Sequence, residues 1–284
     1  MLRLNREGFE LTSNREGIPL KSNKNSIFFL FGSLILAAIA FAALPSRSQG
    51  ISTWLGQRPG DEYQMPIADF ALPEPTDAKE RALRNARGSR YNNRGQKPIA
   101  ELALGTEPLP LNNHWWWSIP ALPVNKSDAI VIGEVLGAQA YLSSDKTGIY
   151  SEFRIDLSEM VKNASGATLV SRSEVIATRE GGIVRFPSGR QQRYSTVQQG
   201  MPMVGRGYLF FLKCNGSGQD FSLLTAYELR NGRVLPLDGY GDKGERRLTD
   251  FTKFEGMDET VFLKAVADAI SNSPQDLSEK GQEE

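Results

Sequence analysis

Few residues in this sequence have the chemistry of catalysis or metal binding. The chain of 284 residues has one histidine, His114, and one cysteine, Cys214. A zinc site of the usual kind needs several such ligands, and a Ser-His-Asp triad needs a well-placed histidine, whereas His114 lies in a proline-rich stretch. The sequence contains no glycine-rich phosphate loop, HExxH or CxxC motif. It therefore predicts no catalytic residue, no metal site and no cofactor.

Two short patterns resemble functional motifs but have simpler explanations. Ser143 and Lys146 have the S-x-x-K spacing, which matters when both lie on one helical face. Here they fall between two predicted strands, so a hairpin loop is expected. Asp238, Asp242 and Glu245 lie in a glycine-rich loop and could offer oxygen atoms to Ca²⁺. Their spacing is not that of an EF-hand, and a solvated loop is expected.

Four arginines form the first candidate binding site. Arg179, Arg185, Arg190 and Arg193 lie around one predicted hairpin. If they share a face of a β-domain, their guanidinium groups are suited to an anionic ligand. The alternative is an exposed, charge-balanced strand face.

Three adjacent tryptophans, Trp115, Trp116 and Trp117, form the second candidate. Their rings could stack on sugars or lie at a membrane interface. In an extended chain Trp115 and Trp117 would face one way and Trp116 the other. The alternative is that two of the rings close the end of the β-domain.

A run of basic residues precedes the tryptophans. One interpretation is contact with anionic lipid headgroups or another anionic polymer, and the other is a solvated, disordered charge run. The run contains a single acidic residue, Glu80. Its basic members are Lys79, Arg81, Arg84, Arg87, Arg90, Arg94 and Lys97.

An uncharged apolar run near the N-terminus predicts a membrane segment. Ile27–Leu44 has eighteen residues without a charge, and Pro45 follows it. A helix of this length spans about 27 Å, enough for the hydrocarbon core of a bilayer. The flanking basic residues are Arg15, Lys21 and Lys24 before it and Arg47 and Arg58 after it. This bias predicts a cytoplasmic N-terminus and an extracytoplasmic C-terminal part. The alternative is secretion after cleavage near Ala40 or Ala42.

The composition divides the chain further. Residues 1–26 are predicted to be a cytoplasmic tail, and residues 45–126, which contain ten prolines, a partly disordered linker. Within that linker a short helix is expected at Thr76–Ala86, capped by Thr76 or Asp77. Residues 127–272 are predicted to fold, and 273–284 to form a charged tail.

Residues 127–272 have the pattern of a mainly β domain. Asn231-Gly232 predicts a two-residue hairpin turn, and apolar residues at helical spacing from Val261 to Ile270 predict one C-terminal helix. The predicted fold is a small antiparallel β-barrel or sandwich with that helix. The predicted strands are Ala129–Val135, Tyr150–Leu157, Glu174–Thr178, Ile183–Phe186, Arg190–Thr196, Tyr208–Leu212, Phe221–Leu229 and Arg233–Leu237. The residues expected in the core are Phe153, Ile155, Leu209, Phe211 and Phe262.

Four sequence segments of this domain resemble segments of a known family: Ser127–Val135, Tyr150–Leu157, Arg179–Gly189 and Gly205–Leu212. In this order they resemble a family of uncharacterised bacterial exported or membrane-anchored proteins over roughly residues 127–240. More weakly, the order is similar to netrin-like modules, which implies a barrel of the oligosaccharide/oligonucleotide-binding (OB) class. The cysteines of netrin-like modules are missing here, so their protease-inhibitor function is not implied.

These features favour a membrane-tethered extracytoplasmic binding or interaction module. The expected partners are the lipid bilayer and either an envelope protein or an anionic polymer. A formal net charge of zero gives no electrostatic basis for nucleic acid as a partner. The alternatives are a structural subunit of an envelope complex and, with less support, an enzyme of unfamiliar type.

Overall fold

The computed structural model describes residues 65–111, 115–166, 169–216, 220–240 and 250–273. For Trp116 and Trp117 it describes the backbone alone. The predicted membrane segment Ile27–Leu44, the 1–26 tail and His114 lie outside the described residues, as does the predicted tail from residue 274 onward. No helix in the described part of the chain is long and apolar enough to span a bilayer.

The domain is mainly β and has a C-terminal helix, as the sequence predicts. All eight predicted strands are present, although several are longer than expected. The strands are β1 Ile67–Asp69, β2 Ala129–Leu142, β3 Ile149–Asn163, β4 Glu174–Glu180, β5 Gly182–Arg185, β6 Gln191–Tyr194, β7 Gly207–Cys214, β8 Asp220–Arg230 and β9 Arg233–Pro236. The α-helices are α1 Ala78–Ser89 and α2 Glu259–Ser271, and 3₁₀ helices cover Trp115–Ser118 and Asp250–Phe254.

Six strands form one sheet in the order β4-β3-β2-β7-β8-β9. Neighbouring strands in this order are antiparallel, and β4 also pairs in parallel with β8 over the short stretch Ile176–Thr178. The sheet therefore curls back on itself, but the contact is short and β9 lies beyond it. The result is a partly closed sheet rather than a regular barrel.

A second sheet of three strands has the order β1-β5-β6. β1 pairs in parallel with β5 and was not expected from the sequence, because three residues between prolines give no periodic signal. The prediction of a linker at 45–126 is therefore not matched by its described part. Ala68, Ile99 and Leu111 from this stretch pack with the β5–β6 hairpin. A few well-spaced apolar residues are enough to fix a stretch whose average composition is polar.

Alternation along β7 explains the two main core clusters. Tyr208, Phe210 and Leu212 point into the curl of the sheet, whereas Leu209 and Phe211 point to the opposite side, where Phe262 of α2 and its neighbours cover them. Both faces of β7 are therefore buried, which accounts for its continuous apolar sequence. The five predicted core residues Phe153, Ile155, Leu209, Phe211 and Phe262 have no exposed surface, so that prediction is confirmed.

Local signals define the ends of the regular elements. The Asp258 side chain accepts hydrogen bonds from the N–H groups of Thr260 and Val261 and caps α2. Asp77 caps α1 in the same way, one of the two caps predicted for it. Asn231 and Gly232 both have positive φ and join β8 to β9 in the predicted two-residue turn.

Candidate functional site

The structure does not bring together the four arginines that were predicted to form one anion-binding face. Arg179 is buried, whereas Arg185 and Arg193 lie on the outer face of the β5–β6 hairpin and Arg190 in its turn. Arg185 and Arg190 each pair with a carboxylate at 3.1 Å. The prediction of a shared face is wrong, because Arg179 lies at an inward position of β4 and cannot reach the surface.

Arg179 instead forms a buried ion pair with Asp238. Its Nη2 donates to Asp238 Oδ2 at 2.7 Å, and the two side chains are 1% and 0% exposed. Asp238 also accepts from the Thr225 hydroxyl at 2.7 Å and from the Gly200 N–H at 2.8 Å. Arg179 Nη1 donates to the Gly200 carbonyl at 2.7 Å. These contacts connect β4, β8 and the 198–201 loop, so the pair has a structural role.

The two motif-like patterns also have structural roles. Both carboxylate oxygens of Asp238 already accept hydrogen bonds, from Arg179, Thr225 and Gly200. The other two residues of the suggested calcium loop, Asp242 and Glu245, lie outside the described residues. Ser143 Oγ donates to Asp145 Oδ1 at 2.9 Å within the β2–β3 turn, as expected for a hairpin loop. Over the described ranges no three His, Cys, Asp or Glu side chains are arranged to hold a metal ion.

Trp115 belongs to the core rather than to an exposed aromatic surface. It is 8% exposed, its Nε1 donates to the Val197 carbonyl at 2.7 Å, and its ring lies 5.5 Å from that of Phe251. The chain here forms a 3₁₀ turn, so the extended alternation predicted for Trp115–Trp117 does not apply. The alternative interpretation placed two of the three rings in the domain, and Trp115 is one such ring. The side chains of Trp116 and Trp117 are outside the described part.

The basic run is not a solvated, disordered stretch, because four of its arginines have defined contacts. Arg87 and Arg90 reach from the end of α1 to the outer face of β3, β4 and β8. Arg87 Nη1 contacts Glu152 at 3.0 Å, and Arg90 makes a two-pronged contact with Asp220 at 2.9 and 3.1 Å. The neighbouring Tyr91 hydroxyl donates to Thr178 Oγ1 at 2.8 Å. α1 and the residues after it therefore cover this face of the sheet.

Burial changes the ionisation of the groups beneath α1. Desolvation raises the pKa of the Glu152 carboxyl above its ordinary value, and the charge of Arg87 opposes this. Desolvation likewise raises the pKa of Glu180, with only a hydrogen bond from Thr196 to oppose it. Tyr91, which stacks on another tyrosine 4.9 Å away, has a raised pKa for the same reason. Arg87, Arg90 and Tyr91 cover this face of the sheet, so it is not an open binding site.

An open cleft of about 370 Å³ lies beside α1, at the lower end of the range for small-molecule pockets. Four secondary-structure elements and one turn contribute to it. β1 gives Ile67 and Asp69, the following turn gives Leu72, and α1 gives Arg84. β2 gives Gln139 and Tyr141, and β5 gives Arg185.

The polar groups of the cleft are only partly used. Arg84 lies over the Tyr141 ring at 4.6 Å and donates once, to Glu80 at 3.0 Å. Arg185 donates once, to Asp69 at 3.1 Å. Each guanidinium has five N–H donors, and the others have no acceptor within the described chain. The Tyr141 hydroxyl also lacks a hydrogen-bond partner there. The cleft therefore offers several free donors to a ligand.

Aliphatic side chains form the other part of the cleft. Ile67 is 37% exposed and Leu72 47% exposed, although most large apolar residues of the domain are buried. The Gln139 amide donates to the Ile67 carbonyl, which holds β1 close to β2 at the floor of the cleft. The cleft thus combines cationic donors with an accessible apolar surface.

Sequence reasoning included one cleft residue, Arg185, among its candidates and placed Arg84 in the basic run. It missed the other five lining residues, since each looks ordinary in its local sequence: Ile67, Asp69, Leu72, Gln139 and Tyr141. For Arg84 a signal was available in the sequence. Arg81, Arg84, Arg87 and Arg90 are spaced three residues apart, which places neighbouring arginines along one side of a helix and predicts a shared contact surface.

Comparison with known proteins adds no assignment to this geometry. No protein-family model matches the chain. No curated protein gives a significant match to it either.

Proposed function

We propose that this chain is a single-pass membrane protein whose extracytoplasmic domain is a binding module, with the cleft beside α1 as its ligand site. The apolar run Ile27–Leu44 and the basic residues before it support the tether and its orientation. In the sequence, residues 45–64 separate that run from the first described residue of the domain.

We further propose that the curled sheet is a partly open barrel of the OB class. In such barrels five strands pair in a ring, and oligonucleotides or oligosaccharides bind the face of the second and third strands. The corresponding ring here is β2, β3, β4, β8 and β7, with β4 and β8 in parallel. The face of β3 and β4 carries Arg87, Arg90 and Tyr91 of the same chain. A ligand must therefore use another surface.

The observation that carries the proposal is the set of unused donors in the cleft. Charged and aromatic groups elsewhere in the described chain are mostly committed to partners, as in the Arg179–Asp238 pair. Arg84, Arg185 and Tyr141 instead combine spare donors with exposed aliphatic neighbours. A concave site with an apolar wall and a few convergent polar groups is the usual form of a small-ligand site.

Photo-crosslinking in intact cells tests this proposal. A benzophenone amino acid replaces Leu72 in the cleft or, as a matched control, Val170 in the β3–β4 connection, which is 55% exposed. After irradiation the full chain is purified and its mass measured. The expected result is an added mass at Leu72 and none at Val170.

Two other outcomes would count against the proposal. An absence of added mass at both positions would mean that the cleft is empty in the cell. Protein adducts of similar yield at both positions would mean that the domain is surrounded by neighbours, which favours a structural subunit of an envelope complex.

A further inference from the structure

We infer that the cleft binds a singly charged oxyanion carried on a short aliphatic chain. The inference rests on the proposed function and adds the chemical class of the ligand. The head, a carboxylate or a phosphodiester, would accept hydrogen bonds from Arg84, Arg185 and Tyr141. The aliphatic part would contact Ile67 and Leu72.

The unused polar groups of the cleft decide the sign of the ligand charge. The charged lining consists of Arg84, Arg185 and Asp69, and Arg84 also pairs with Glu80 at 3.0 Å, so two guanidinium groups and two carboxylates balance in charge. Asp69 stays ionised, because the Ala71 N–H and Arg185 lower the pKa of its carboxyl. The unused groups are hydrogen-bond donors of the two arginines and Tyr141, and guanidinium donors bind oxyanions most strongly. A doubly charged anion would be opposed by both carboxylates, so a monoanion fits best.

The position of Arg84 favours two-pronged recognition of an oxyanion. Its guanidinium lies over the Tyr141 ring at 4.6 Å and pairs with Glu80, its neighbour one helical turn earlier, at 3.0 Å. A guanidinium held in place loses little conformational freedom on binding. Its planar fork pairs with carboxylate or phosphate oxygens through parallel hydrogen bonds. Tyr141 adds a hydroxyl donor next to this fork.

The size and lining of the cleft limit the rest of the ligand. Ile67 and Leu72 provide aliphatic contact, and a volume of about 370 Å³ leaves room for a short chain rather than a bulky body. Two sources supply this chemistry: a free short-chain carboxylate, or the phosphodiester head and first methylenes of a membrane lipid.

Titration calorimetry of the full chain in phosphatidylcholine nanodiscs tests the inference with two anionic probes. Octanoate represents the free carboxylate, and dihexanoyl phosphatidylglycerol represents the lipid head. Octyltrimethylammonium, with the same chain length and the opposite charge, is the control ligand, and empty nanodiscs correct for partition into lipid. We expect at least one anionic probe to bind the wild-type chain, and whichever probe binds identifies the source.

Variants connect binding to the cleft. Arg84→Gln and Arg185→Gln should each weaken the bound probe about tenfold, since each removes charge-assisted hydrogen bonds. Arg154→Gln is the matched control, because Arg154 is an exposed arginine outside the cleft, 57% exposed and paired loosely with Glu174 at 3.9 Å. It should leave affinity unchanged. Leu72→Asn provides a second test that does not touch α1 and should also weaken binding.

Several outcomes would overturn the inference. These are equal affinity in wild type and all variants, binding of the cationic probe as tightly as the anions, or no binding of either anion. If the anions fail to bind while the Leu72 crosslink still forms in cells, the cleft has a ligand of another class. In that case the proposed function stands and the ligand assignment falls.

Discussion

Replacing Asp238 by Asn should destabilise the domain strongly. The change keeps the shape of the side chain but leaves the Arg179 guanidinium, 1% exposed, without its counter-charge. Removing one partner of a buried ion pair costs about 3–5 kcal/mol. Asparagine can still accept from the Gly200 N–H, but its NH₂ group then takes the place of Oδ2 and faces both the Arg179 Nη2 donor and the Thr225 hydroxyl. The structure therefore supports the full range rather than a smaller value.

Thermal unfolding of the full chain in mild detergent, followed by circular dichroism, measures the effect. For a domain of this size, 3–5 kcal/mol lowers the midpoint by about 6–20 °C. Asp268→Asn is the matched control, because Asp268 pairs with Lys264 at a similar distance, 2.7 Å, but with both side chains exposed. It should change the free energy of unfolding by less than about 0.5 kcal/mol.

A double-mutant cycle separates the pair from its surroundings. Arg179→Met alone removes the charge but leaves the Gly200 and Leu224 carbonyls without their donor. Combined with Asp238→Asn, it should cost less than the sum of the two single changes, since no unpaired buried charge remains. A loss below about 1 kcal/mol for Asp238→Asn, or simple additivity in the cycle, would show that the pair is not a buried ion pair in solution.

Three further changes test other parts of the structure by the same unfolding assay. Gly148→Ala should cost about 1–3 kcal/mol, since its Cβ would lie 2.1 Å from a backbone carbonyl oxygen just after α1, whereas Gly207→Ala, with nothing within 4 Å, should cost little. A small effect at Gly148 would mean that the segment after α1 is not docked. Glu180→Gln should raise the midpoint at pH 8 and lose this gain near pH 4. Its raised pKa means that folding favours the protonated form, a contribution present below the unfolded pKa of about 4.3 and lost as pH rises through the folded value. An equal gain at both pH values would contradict this. A fragment of residues 65–273 should unfold cooperatively, whereas 127–273 should melt many degrees lower or aggregate, because the shorter piece lacks β1, α1 and Trp115. Equal midpoints would restore the linker interpretation.

The sequence by itself determined the local structure. Alternating and continuous apolar runs identified eight strands, helical spacing from Val261 to Ile270 identified α2, and Asn231-Gly232 identified a hairpin turn. Each of these signals acts between residues close in the chain, where backbone geometry fixes which side chains share a face. That is also why all five predicted core residues were buried.

Only the tertiary structure decided what each face meets. Arg179 looked like a surface arginine, yet its partner Asp238 lies 59 residues further on, and Arg87 finds Glu152 after 65 residues. A polar residue on a strand is read as exposed unless its distant partner is known, so burial of an ion pair leaves no local pattern. The cleft has the same origin. Its walls come from four elements that no spacing connects, and it exists because the pairing of β1 with β5 brings these elements to one place.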